Sequence, residues 1–125
     1  MRVYCSGPIT GLPDLNRPAF DAAEKRLTAQ GHFVINPHRI SELFGTAEDV
    51  AIAFTDLRYA EDVARIESIA SRRIVEAVMS ADLAAVRSCD AIYLLRGWEN
   101  SRGAKKELAE ALKHGLEVMQ EGGKE

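Results

Sequence analysis

The sequence predicts an α/β fold, a three-layer sandwich built on a four- to five-stranded, mostly parallel sheet. Short apolar stretches bounded by Gly or Pro alternate with longer stretches of helical periodicity. The first strand, helix and second strand span about 35 residues, the usual size of a βαβ unit. Such alternation favours a parallel sheet with helices on both faces. With 125 residues, 46% of them hydrophobic, the chain is expected to form one domain, 1–125.

The first half of the chain is predicted to form strand, loop, helix and strand. Residues 2–5 form the first strand, and Gly and Pro mark the residues after it as a loop. Pro18 suits the first position of a helix, Gly31 ends that helix, and residues 32–36 form the second strand. The helical spacing comes from three apolar residues, Phe20, Ala23 and Leu27.

The second half is predicted to be mostly helical. Residues 40–44 favour a helical turn, and residues 47–79 have the composition of helices. Ser80 is a plausible N-cap of a separate short helix that ends at Ser88, which puts Asp82 in its first turn. The remaining predicted elements are a strand over 91–95, a helix over 102–114 capped by Gly115, and an edge strand over 116–119.

Composition and charge exclude several classes of function. The net charge is -3 and no basic stripe is present, so nucleic acid is not an expected partner. No signal peptide and no apolar run of about 18 residues occur, which favours a cytoplasmic protein without a membrane partner. Cys5 and Cys89 are expected to be small buried residues. No His or Cys pair has metal-ligand spacing, so neither a metal nor another cofactor is expected.

The carboxyl ends of the predicted strands point to a ligand site. In an open α/β sheet, ligands bind at that edge, and residues 6–11, 36–38 and 97–103 all follow strands. The glycines at 7 and 11 fit either an ordinary turn or a backbone cradle for a phosphate or sugar.

Several side chains near this edge have two interpretations from pattern alone. Glu107 lies at the border of an apolar helical stripe, so it is either a surface residue or a partly desolvated nucleophile or base. Asp82 is either a charge favoured by a helix N-terminus or a reactive carboxyl, and Tyr4 either packs in the core or serves the site. His38 is either solvated or in the site, and Trp98 either stacks on a base or caps the sheet edge. The stripe consists of Ala104, Leu108, Ala111, Leu112 and Gly115.

The chain resembles the nucleoside 2-deoxyribosyltransferase superfamily, a group of Rossmann-like enzymes. It is most similar to the 2'-deoxynucleoside 5'-monophosphate N-glycosidases and to small phage-borne relatives. The resemblance extends over most of the chain except residues 40–80, and it rests on five motifs in order. They are Tyr-Cys-Ser-Gly-Pro-Ile-Thr-Gly (4–11), Val-Ile-Asn-Pro-His (34–38), Asp-Leu (82–83), Cys-Asp-Ala-Ile-Tyr-Leu-Leu (89–95) and Ser-Arg-Gly-Ala-Lys-Lys-Glu (101–107).

The resemblance implies roles for individual residues. Glu107 matches the catalytic glutamate that attacks the anomeric carbon, Asp82 the aspartate that assists the leaving base, and Tyr4 the tyrosine that positions the glutamate. Ser101 matches a serine of the monophosphate hydrolases, where the nucleoside transferases carry an aspartate. The implied substrate-binding residues are Ser6, Gly7, Pro8, Ile9, Thr10, Gly11, Asn36, His38, Trp98, Ser101 and Gly103.

One departure from the family pattern concerns the phosphate. The monophosphate hydrolases often carry an arginine in the first loop, where this chain has Thr10. Arg17, Arg39 and Arg102 are the candidates to replace it.

The expected function is hydrolysis, or transfer, of the N-glycosidic bond of a (deoxy)nucleoside 5'-monophosphate. A homodimer or larger homo-oligomer is expected, because members of the superfamily share sites between subunits. Two alternatives stay open. One is a nucleotide-binding module that senses or sequesters its ligand without turnover, and the other is an interaction protein that uses the surface of residues 47–79.

Overall fold

The computed structural model describes residues 1–60 and 62–122 and confirms the predicted α/β class. Its strands are β1 (Arg2–Ser6), β2 (Phe33–Ile35), β3 (Ala91–Leu94) and β4 (Glu117–Gln120). Its α-helices are α1 (Arg17–Ala29), α2 (Pro37–Ser41), α3 (Ala47–Ala60), α4 (Ile69–Arg87) and α5 (Arg102–Lys113). Short 3-10 helices lie at Pro13–Asn16, Val63–Arg65 and Trp98–Asn100.

The strands of the described chain form one four-stranded sheet in the order β2-β1-β3-β4, and all neighbouring pairs are parallel. The predicted edge strand is therefore present as β4. Side chains alternate between the two faces, as the period of a strand requires. On one face Val3 and Cys5 pack against α1, and on the other Tyr4 and Ile92 pack against α4 and α5. The fold is a Rossmann-like three-layer sandwich.

The prediction of a separate helix capped by Ser80 is wrong. Helix α4 runs without interruption from Ile69 to Arg87, and its N-cap is Ser68, whose side chain accepts a hydrogen bond from the Ser71 amide. The reason is a continuous buried stripe of Val75, Val78, Asp82 and Val86, which packs along its length. Asp82 thus lies deep inside a helix, where the N-terminal dipole has no influence on it.

Two smaller expectations also change. The helical turn expected over 40–44 lies earlier, as α2, because the Asn36 side chain accepts a hydrogen bond from the His38 amide and caps a helix that begins at Pro37. Two residues expected on the apolar stripe of α5 are exposed: Leu112, to 60%, and Gly115, which lies beyond the last residue of the helix. Among the described residues, no helix has both the length and the apolar character needed to cross a bilayer.

We predict that proline distinguishes one continuous helix from two. Ala81→Pro should destabilise the chain by about 3 kcal/mol or more, because it removes a hydrogen bond in the interior of α4. If a helix began after Ser80, proline would be tolerated at this first position. The measurement is chemical denaturation followed by circular dichroism.

The matched control is Ile69→Pro, at the true first position of α4. Ile69 is exposed, and Ser68 before it has the extended backbone that a following proline requires. Equal stability of the two proline variants would contradict a continuous α4.

Candidate active site

The carboxylate of Glu107 is held by two side chains from the same strand. Tyr4 and Ser6 are two residues apart on β1, so their side chains leave the same face of the sheet. Helix α5 packs on this face through Ala104 and Ala111, both buried, and small side chains there let the helix approach closely. Glu107 projects between them toward β1.

Both carboxylate oxygens of Glu107 accept a hydrogen bond. The Tyr4 hydroxyl donates to Oε2 over 2.8 Å, and the Ser6 hydroxyl donates to Oε1 over 2.6 Å. Tyr4 and Ser6 are themselves 0% exposed, so the two donors are fixed by the core. Burial raises the pKa of Glu107, and the hydrogen bonds from Ser6 and Tyr4 oppose that rise. The carboxylate is therefore positioned and desolvated, yet supported in its ionised form.

Asp82 faces the same region from α4. It is 6% exposed, and its Oδ1 atom is buried without a hydrogen-bond partner within the described residues. Burial and the nearby charge of Glu107 raise the pKa of Asp82 far above its usual range. Asp82 lacks the donors that support Glu107, so it is the member of the pair that keeps its proton at neutral pH. Two carboxyls whose environments separate their pKa values can act as nucleophile and acid.

A cavity of about 400 Å³ opens in front of these carboxyls. Its lining combines a polar end with an apolar wall, as small-molecule sites do. The polar end includes the first loop and the N-terminus of α5, with Gly7, Pro8, Ile9, Thr10, Ser101 and Gly103 among its residues. The apolar wall is formed by α3 and α4, with Val50, Phe54, Leu57, Val78 and Met79.

The predicted loop residues take distinct places. Gly7 lies so near Leu95, the residue after β3, that an added Cβ would be 2.7 Å from the Leu95 Cβ, so a larger residue would displace the loop. Gly11 has a φ of +86° and lies against the Arg58 side chain, without lining the cavity itself. Ser101 caps α5, since its Oγ accepts a hydrogen bond from the Ala104 amide over 3.1 Å. This leaves the Ser101 hydroxyl proton to donate toward the cavity.

Besides Gly11, three residues predicted to bind substrate do not line the cavity: Ser6, Asn36 and Trp98. Ser6 lies behind Glu107 and donates to its carboxylate instead. Trp98 packs against the cluster around Tyr4 and Ile92 and does not line the cavity. Asn36 is buried behind the site, where its amide nitrogen donates to Asp21 and Glu24. Its contribution is to cap α2, whereas His38, two residues later, does line the cavity.

Arg58 is a cavity residue that the sequence analysis missed. It lines the cavity from α3, together with Arg102 and Lys106 from α5. Arg39, one of the three arginines considered from sequence, pairs instead with Asp21, Glu24 and Glu42. No sequence signal pointed to Arg58, because its place depends on how α3 packs on α4. For Asp82, by contrast, the sequence contains a local signal, because its carboxylate stands among valines at helical spacing, Val75, Val78 and Val86.

Within residues 1–60 and 62–122, no group of three or more His, Cys, Asp or Glu side chains has an arrangement suited to a metal ion. The groups that the cavity does present are a hydrogen-bonded carboxylate at Glu107, a protonated carboxyl at Asp82 and the N-terminus of α5.

A family model described as "Domain of unknown function (DUF4406)" matches residues 1–120. The chain belongs to this family. No curated protein and no solved structure gives a match. The description of the DUF4406 family names no activity.

In this DUF4406 chain, we predict that the buried Asp82 lowers stability as the pH rises. The usual pKa of an aspartate side chain is 3.8, and the pKa of Asp82 in the folded protein is raised above it. Below the usual value both states are protonated, and above it only the unfolded state loses the proton, which favours unfolding until the raised pKa is reached. Asp82→Asn removes this dependence, so the variant should gain stability over the wild type progressively from acid to alkaline buffer.

Denaturation midpoints across this pH range check the prediction. The control is Glu76→Gln, a change of an exposed carboxylate on the same helix. A stability difference between Asp82→Asn and wild type that stays constant with pH would contradict the assigned protonation state.

Proposed function

We propose that the chain hydrolyses, or transfers across, the N-glycosidic bond of a (deoxy)nucleoside 5'-monophosphate. The observation that carries this proposal is the Glu107 carboxylate, held by Tyr4 and Ser6 at the wall of a cavity that also contains the protonated Asp82. Cleavage of a glycosidic bond passes through an oxocarbenium-like state, which a nearby carboxylate stabilises or traps. The resemblance to nucleoside 2-deoxyribosyltransferases assigns this role to the same glutamate.

The two carboxyls support a two-step reaction. An oxygen of Glu107 attacks the anomeric carbon, the bond from that carbon to the base nitrogen breaks, and the base takes the electron pair and the Asp82 proton. Water, or a second base in a transfer, then attacks the same carbon. Asp82, now ionised, accepts the proton of the attacking group, and Glu107 leaves as a carboxylate. No metal or redox cofactor takes part.

The polar end of the cavity supports recognition of a 5'-phosphate. The N-terminus of α5 presents backbone amides, and the Ser101 hydroxyl can donate to an anion there. Arg58 and Lys106 add positive charge around the cavity. A phosphate held by these groups leaves the sugar beside the first loop and the anomeric carbon near Glu107.

The apolar wall supports a flat leaving group. Val78 and Met79 lie one helical turn before Asp82 on the cavity side of α4, and Phe54 faces them from α3. A base bound against this wall has Asp82 at its edge, where protonation is needed. The homo-oligomer implied by the resemblance is part of the proposal, and light scattering of the purified protein measures it.

Glu107→Gln should lower base release by at least about a thousandfold, because an amide cannot attack the anomeric carbon. Binding of the nucleotide should persist, since the cavity keeps its shape. The measurement is chromatography of free base from ribo- and deoxynucleoside monophosphates, with and without a second base as acceptor. Calorimetry of the same nucleotides measures binding.

The matched control is Glu110→Gln, the same substitution at another glutamate of α5. Glu110 pairs with Arg87 over 2.8 Å, away from the cavity, so this variant should keep full activity. Full activity in Glu107→Gln would remove Glu107 from the mechanism. Binding without release from any nucleotide in the wild type would favour the non-catalytic binding module.

Ser101→Asp should shift the preference from monophosphates toward nucleosides by about tenfold or more, because a carboxylate repels the phosphate dianion. Aspartate is also a good N-cap, so α5 should stay intact. Ser101→Thr, which keeps both the cap and the hydroxyl, is the control. The ratio of kcat/KM for a monophosphate and its nucleoside is the measurement, and an unchanged ratio would mean that Ser101 does not contact the phosphate.

A further inference from the structure

A second buried atom in the cavity wall lacks a partner. Within the described residues, two buried side-chain atoms have no hydrogen bond, Asp82 Oδ1 and His38 Nε2. The proposed reaction uses Asp82, whereas for His38 the resemblance implies substrate binding without saying which group of the substrate it contacts. His38 lines the cavity and is 2% exposed. Buried polar atoms in folded proteins are nearly always paired, so an unpaired one in a cavity wall indicates a ligand contact.

His38 is held rigidly. Its backbone amide donates to Asn36 Oδ1 over 3.0 Å, and its ring meets the Phe20 ring edge-on, with centroids 4.9 Å apart. Of the two ring nitrogens, Nε2 is the one that is buried without a hydrogen-bond partner. The side chain is therefore fixed by packing, with Nε2 unused.

The His38 ring is neutral at physiological pH. Burial, followed by the charge of Arg17, lowers its pKa to about 4, although Asp21 and Asp14 oppose the shift. In the neutral tautomer that carries its proton on Nδ1, Nε2 is a hydrogen-bond acceptor. A ligand group that satisfies it must be a donor, such as N–H or O–H.

The order of the sheet indicates which part of a nucleotide lies near His38. The loop after β3 leads to Ser101 and α5, β1 carries Tyr4 and Ser6 with Glu107 in front, and His38 follows β2 on the opposite side of β1. A nucleotide with its phosphate at α5 and its anomeric carbon at Glu107 therefore extends its base toward β2.

We propose that Nε2 of His38 accepts a hydrogen bond from an N–H group of the leaving base, and so selects bases that carry such a donor. This assignment deepens the proposed function and rests on it. A site built around a buried acceptor discriminates strongly against an analogue without the donor, because the acceptor then stays unpaired. The apolar wall of α3 and α4 contributes contact area to every base, whereas His38 distinguishes among them.

The test compares purine nucleotides that differ only in an amino group. The substrates are the 5'-monophosphates of adenosine, 2-aminopurine riboside and unsubstituted purine riboside, and their deoxy forms. The wild type should have a higher kcat/KM for at least one amino-substituted base than for purine. In His38→Phe, which fills the space without an acceptor, that ratio should fall by about tenfold or more. Comparing this ratio of kcat/KM values between the variant and the wild type cancels the intrinsic reactivity of each base.

Two further variants keep the test decisive. His38→Leu also removes the acceptor with a different shape, and it replaces His38→Phe if circular dichroism finds that variant unfolded. His38→Gln restores an acceptor and should recover part of the selectivity, which a purely structural role of His38 would not produce. His114→Gln, at the exposed end of α5, is the control and should keep the wild-type ratio.

Unchanged selectivity in both the Phe and Leu variants would overturn the assignment of His38 and leave the proposed reaction intact. An equal loss of rate for amino-substituted and unsubstituted bases would also overturn it, because the missing contact would then lie on the sugar or in the packing. No base release from any nucleotide by the wild type would overturn the proposed function, and this assignment with it.

Discussion

The arrangement of the whole site depends on one half-buried carboxylate held between two hydroxyls of a single strand. Hydrogen bonds from Tyr4 and Ser6 to the two oxygens of Glu107 offset the cost of taking this carboxylate out of water. Those donors lie on β1, at the centre of the sheet, and Glu107 lies on α5, so the contact fixes the distance and rotation of that helix. The same constraint sets the position of the α5 N-terminus, and therefore of the polar end of the cavity.

A second constraint is the electrostatic difference between neighbouring carboxyls. Glu107 has two donors and Asp82 has an unpaired oxygen, so burial affects the pKa values of the two groups unequally. The apolar wall next to Asp82 maintains this difference by excluding water. A valine at position 82, like those at 78 and 86 on the same stripe, would give a more stable core than the buried aspartate does. The less stable core lies at the place where the proposed reaction needs an acid.

The segment from α2 to α4 gives the cavity its individual character. Its helices supply the apolar wall, Arg58 and the buried His38. Helix α3 packs extensively on α4, and both contribute to a small core of Val50, Phe54 and Val78 that is separate from the clusters on the sheet. Most of this segment, residues 40–80, lies outside the resemblance to the deoxyribosyltransferases, whereas His38 and Asp82 at its two ends lie within it. Features of substrate choice that belong to this chain are therefore expected from residues 40–80, which supply Arg58 and the α3 part of the apolar wall.

Local periodicity in the sequence was sufficient for the α/β class, the strand positions, the edge strand β4 and the position of Glu107 beside a buried stripe. These features repeat every two or three to four residues, so a short window contains them. The same reasoning failed at Ser80, because a good capping residue does not start a helix when a buried stripe continues through it. Only the tertiary structure brought Glu107 to Tyr4 and Ser6, which are 103 and 101 residues away in sequence. It alone buried Asp82 and His38 and placed Arg58 at the cavity, because such contacts depend on how helices pack across the sheet, and that packing leaves no local pattern in the sequence.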